Sequence, residues 1–78
     1  MTPTQLDIVV LTRDFPDEGL CRGDLGTVVE IHTPTAFLVE FVAASGSTQA
    51  LVTLGPADVR AVADDDLVAV RPVSAHAS

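Results

Sequence analysis

The stretch Leu20-Cys21-Arg22-Gly23-Asp24-Leu25-Gly26-Thr27-Val28-Val29-Glu30-Ile31 carries a loop into a run of β-branched residues through a Gly-Asp-x-Gly-Thr-Val core. Each polar or small position there has a mechanical use. Gly23 supplies a positive φ at the loop exit, the Asp24 carboxylate accepts from backbone amides of the turn, and Gly26 lets the strand bend as a small barrel closes. Such a passage recurs in small barrels of unrelated function, so it points to a fold rather than an activity.

Outward from this core the apolar residues fall in short blocks separated by turn formers. Ile8–Leu11, Thr27–Ile31, Ala36–Val42, Ala50–Leu54 and Val59–Val62 are rich in β-branched types and read as five strands. Arg13 to Gly23 holds Pro and Gly, which predicts a long excursion between the first two strands. Thr33-Pro34-Thr35 and Ala44-Ser45-Gly46-Ser47 are short enough for hairpins, so strands two to four form an antiparallel meander. Gly55-Pro56-Ala57-Asp58 predicts a tight turn, as one 3₁₀ turn, before the fifth strand. The order is that of an all-β, five-stranded SH3-like barrel. The further apolar run Leu67-Val68-Ala69-Val70 is a candidate sixth strand. Residues 1–5 read as an N-terminal extension, 6–71 as one domain and 72–78 as a flexible C-terminal tail.

A chain of 78 residues and 8.1 kDa supports one domain, which hides about 60% of its surface on folding. Its 47% apolar content, with twelve Val, eight Leu, two Ile and three Phe, is that of a folded protein. The lone Cys21 excludes an intrachain disulfide framework. No apolar run has the length of a membrane helix and the start lacks a secretory pattern, so a cytoplasmic location is expected.

Eleven acids oppose four arginines and no lysine, for a net charge of −7. Nucleic-acid binders draw affinity from cations neutralising phosphates, so a nucleic-acid role is disfavoured, and anionic membrane surfaces with it. A partner steered by charge is basic. The plainer reading is that the charge keeps the domain dissolved.

In order along the chain, Asp7-Ile8-Val9-Val10-Leu11, Phe15-Pro16-Asp17-Glu18-Gly19-Leu20, Gly23-Asp24-Leu25-Gly26-Thr27-Val28-Val29-Glu30, Val39-Glu40-Phe41-Val42 and Ala50-Leu51-Val52-Thr53-Leu54 form a fairly specific set. This set resembles a family of short bacterial proteins catalogued as domain of unknown function 4926, over roughly residues 6 to 62. The label carries no activity. The resemblance implies a small stand-alone SH3-like barrel, some members looking like partners of neighbouring toxin-like genes. The segment from Ala63, with Asp64-Asp65-Asp66, continues beyond it.

A search for chemistry returns little. His32 and His76 have no ligand-type residues at metal spacing, Asp64-Asp65-Asp66 lacks the alternating oxygens of a calcium loop, and no metal or cofactor is expected. The serines have no base nearby, Cys21 beside Arg22 has no histidine partner, and Gly23 and Gly26 precede a strand rather than a phosphate-binding helix. The chain reads as a non-enzyme with no catalytic residues.

Two features remain. In the first loop Asp14, Asp17, Glu18 and Asp24 surround Phe15 and Pro16, which makes Phe15, Asp17, Glu18 and Asp24 the candidate partner-binding residues for a basic segment. Against this stands a plainer role, Phe15 capping the barrel end while the acids are merely solvated. The second feature is apolar residues on both faces of the strands, as in Ile8-Val9-Val10-Leu11 and Phe37-Leu38-Val39. Either the C-terminal run covers the outer face or a second chain does. The expected function is a protein–protein interaction module that neutralises or tethers a basic protein encoded nearby, as an antitoxin or adaptor does. The alternative is a structural module that forms a homo-oligomer or serves as a small accessory subunit of an enzyme complex.

Overall fold

The computed structural model describes residues 3–73. The strands are β1 (Ile8–Leu11), β2 (Leu25–Thr33), β3 (Ala36–Val42), β4 (Thr48–Leu54) and β5 (Val59–Ala61), and a 3₁₀ turn forms at Pro16–Glu18. The order across the sheet is β4-β3-β2-β1-β5 with every pair antiparallel, an all-β fold in the SH3-like strand order. The sheet stays open, with β4 and β5 at its edges.

Alternation of side chains builds the core. Phe37, Val39 and Phe41 of β3 point inward with Val9 and Leu11, Val28, Ala50 and Leu54, and Val59, while Leu20 of the first loop closes the cluster. Register breaks in the β2–β3 ladder, between Val28 and Glu30 and between Ile31 and Thr33, curl the long hairpin over this core. Gly26 is buried for a different reason from the bend expected of it. A Cβ there would lie 2.5 Å from Val39 Cγ1 and 2.7 Å from Phe41 Cε2, so its bare backbone makes room for the Phe41 ring. Gly23 does take a positive φ of 95°, and the Asp24 carboxylate accepts from the Cys21 amide at 2.8 Å.

Two expectations are corrected. The 3₁₀ turn falls in the first loop, whereas Gly55–Asp58 is a turn closed by Asp58 N–H to the Gly55 carbonyl at 3.0 Å and Gly55 N–H to the Asp58 carboxylate at 2.9 Å. The Gln5 side-chain amide donates to the Val29 carbonyl and Leu6 N–H to that of Val28. Leu67–Val70 forms no sixth strand. A turn, Asp66 N–H to the Ala63 carbonyl, reverses the chain after β5 and sends it away from that edge. The expected flexible tail is described only to Val73, and residues 74–78 with His76 lie outside the described residues.

Candidate functional site

The first loop is pinched shut at its base. Phe15 and Leu20 exchange backbone hydrogen bonds of 2.9 and 3.1 Å, and Gly19, in the left-handed region, ends the 3₁₀ turn. Phe15 is half-buried and packs on the core, and the Arg13 guanidinium lies over its ring at 3.9 Å. Asp17 and Glu18 stand exposed on the turn, and their side chains make no hydrogen bond or ion pair among the described residues. Asp24 is engaged elsewhere, as is Asp14, which accepts from the Arg22 amide at 2.7 Å. The structure therefore separates the four predicted residues: Phe15 is core packing under Arg13, Asp24 holds the chain together, and Asp17 and Glu18 face solvent.

Asp24 grips the C-terminal segment. Its carboxylate receives Arg71 Nε at 2.9 Å and Arg71 Nη2 at 2.5 Å, and Nη2 also donates to the Gly19 carbonyl at 3.1 Å. Arg71 Nη1 is enclosed without an acceptor among the described residues. At the other end Arg60 of β5 clamps Asp66 through Nη1 and Nη2 at 2.8 and 2.9 Å, and the Ala63 amide adds a third bond. The Arg60 hydrogen bonds, then the Ala63 amide, pull the Asp66 pKa down to about 2. Residues 67–70 thus form a strap fixed by an ion pair at each end.

Between strap and sheet lies a cleft of about 750 Å³. Its floor is the outward face of the sheet: Val10 opposes Leu25 on one side and Arg60 on the other in the ladder, and all three line the cleft with Val42 and Val62. Val10 is 6% exposed yet stands outside the core cluster, because the strap side of the sheet shelters it. The lining charges, Asp24, Asp66, Arg60 and Arg71, are paired with each other, so the lining is electrically balanced and mostly apolar. Exposed acids that make no hydrogen bond or ion pair among the described residues flank it: Asp17 and Glu18 precede Gly19 at the Arg71 end, and Asp64 and Asp65, the latter within the field of Arg60, precede Asp66 at the other. The strap turns its own apolar groups to water, with Leu67 94%, Val68 76% and Val70 97% exposed.

The sequence signal for this site was the acid–apolar–basic pattern Asp66-Leu67-Val68-Ala69-Val70-Arg71. It shows a segment with charged ends, but not which residue across the fold receives each charge. His32 is exposed on β2, Ser45 and Ser47 bond each other in the β3–β4 turn, and Cys21 is half-buried beside the Arg71 latch. Among the described residues no group of three or more His, Cys, Asp or Glu is placed to hold a metal ion, and no helix is long and apolar enough to cross a membrane.

No curated protein and no solved structure matches the chain. A family does, over residues 5–61, which takes in all five strands and stops before the strap. The chain belongs to the family described as Domain of unknown function (DUF4926).

Proposed function

We propose that the chain is a non-catalytic protein-binding module that seats an apolar segment flanked by Lys or Arg in the cleft beneath the strap. The observation that carries this reading is the cleft itself, an apolar and charge-balanced trough with unpaired carboxylates beyond both ends. Its volume falls in the range of roughly 300 to 1,000 Å³ typical of ligand sites, and the polar groups near it are few and fixed. An apolar anchor supplies the slow dissociation, and Asp17, Glu18, Asp64 and Asp65 within a net charge of −7 steer a basic partner to it. A cytoplasmic role as an antitoxin or adaptor for a basic protein encoded alongside fits this chemistry. Calorimetric titration of the full chain with the product of the adjacent gene tests it. Saturable binding that weakens as salt rises supports the reading, and heat no different from dilution at low salt overturns it.

A further inference from the structure

Every residue from Asp66 to Val73 lines the cleft, so the cleft runs the whole length of the strap. From Asp66 to Pro72 the chain makes no turn or bend, and five peptide steps of about 3.3 Å give the strap between Asp66 and Arg71 a reach of at most about 17 Å. Both ends are pinned to the body, Asp66 to Arg60 of β5 and Arg71 to Asp24 at the loop exit. The fold therefore fixes their separation. Beyond each end stands a pair of exposed acids, Asp64 with Asp65 in the turn before Asp66, and Asp17 with Glu18 beside the Gly19 whose carbonyl accepts from Arg71.

We infer that the cleft is a ruler, selecting an extended partner segment in which four or five apolar residues lie between basic ones. The rule rests on the protein-binding role proposed for the cleft and adds a spacing to it. An extended occupant lying along the strap advances about 3.3 Å per residue, so basic residues that bracket four or five apolar positions stand about 17 to 20 Å apart and meet both acid pairs at once. A gap of eight stretches the bracket to about 30 Å and leaves one end in water. The middle must be apolar. It faces Val10, Leu25, Val42 and Val62 on the floor, and the lining charges are already paired, so a charge placed there is desolvated without a partner.

Two other occupants fit less well. A helix spanning about 17 Å is a cylinder about 10 Å across, more than about 1,000 Å³, which exceeds the cleft of about 750 Å³. A second copy of this chain lacks the pattern, because it has no lysine and no two of its arginines bracket an unbroken apolar run.

Synthetic peptides of one composition test the rule. Each has a block of four valines, two lysine pairs and four glycines, with the glycines outside the lysine pairs for a gap of four or inside them for a gap of eight. Amide chemical shifts of the full chain, followed in titrations at low and at molar NaCl, give each dissociation constant and the place of contact. The expected result is a set of shifts along the cleft floor, with the gap-four peptide bound about fivefold tighter than the gap-eight peptide at low salt and the difference gone in molar NaCl. Neutralising either acid pair, by Asp17→Asn with Glu18→Gln or by Asp64→Asn with Asp65→Asn, is expected to bring the two peptides within about twofold of each other, because a bracket needs both its ends. Equal affinity of the two peptides for the parent chain overturns the ruler and leaves the cleft as a site of no fixed spacing. So does a gap preference that survives neutralisation of either pair. Absence of saturable shifts with both peptides at low salt overturns the protein-binding role of the cleft, and the ruler with it.

Discussion

Asp24 and Arg71, 47 residues apart in the chain, meet through two hydrogen bonds of 2.9 and 2.5 Å, and the same carboxylate accepts from the Cys21 amide. One side chain thus shapes the loop exit and anchors the strap. The dual role ranks two substitutions. Arg71→Ala removes the partly exposed ion pair, worth on the order of 1 kcal/mol, together with the bond to the Gly19 carbonyl. Asp24→Ala also orphans the Cys21 amide and should cost about 1–2 kcal/mol more. Urea denaturation is expected to show that ranking, and hydrogen exchange to show the Cys21 amide losing protection in Asp24→Ala but not in Arg71→Ala.

Gly26→Ala tests the packing against the bare backbone at Gly26. The added Cβ would meet Val39 and Phe41 at 2.5 and 2.7 Å, both enclosed core side chains that cannot swing clear. Overpacking of this kind costs about 1–3 kcal/mol. A lowered urea midpoint with an unchanged slope is expected. A paired Phe41→Leu, Gly26→Ala variant should lose less than the sum of the two single changes, because the ring that clashes is gone.

The strands were legible because burial on one side of a sheet enforces alternation, as at Phe37, Val39 and Phe41, and because Gly and Pro punctuate the connections. The strap was not. Leu67-Val68-Ala69-Val70 has the composition of a strand, and two charge pairs, Arg60 with Asp66 close by in the chain and Arg71 with the distant Asp24, fix its ends. Pairings across the fold leave no periodic trace in a single sequence. Phe15 was half legible: an aromatic among acids reads as a binding residue until Arg13, two positions earlier, is seen over its ring.

Acid should release the strap. The Asp66 pKa is held down to about 2 in the folded chain, against about 3.9 for a free aspartate. A depressed carboxylate contributes stability that is present above the unfolded value and lost as pH falls through the folded one. The Arg60 clamp should therefore weaken between about pH 4 and pH 2, with the Ala63 amide, which donates to the Asp66 carboxylate, losing protection before the amides of β2 and β3. Asp58 is shifted the same way, mainly by the Gly55 amide, and its turn should loosen as the pH falls through the acid range. In Asp66→Asn the strap is expected to be mobile already at pH 7, with the acid response of the turn before β5 retained.

Phe15→Ala and the double change Asp17→Lys, Glu18→Lys should affect different properties. Phe15 packs on the core beneath Arg13, so its truncation should lower stability by about 1–3 kcal/mol, the smaller values reflecting its half exposure. Asp17 and Glu18 are exposed and unpaired, so reversing them should change stability by less than about 0.5 kcal/mol. If they steer a basic partner, the double Lys variant binds the adjacent gene's product with a slower association rate, an almost unchanged dissociation rate and a flatter salt dependence. Val62→Glu on the cleft floor should do the reverse, raising the dissociation rate while leaving the salt slope of association in place, because it buries a charge where an apolar anchor must sit. Stopped-flow binding at three salt concentrations separates the two. Equal association rates for the parent and the double Lys chain would remove the first-loop acids from the recognition surface and leave the apolar cleft to account for binding.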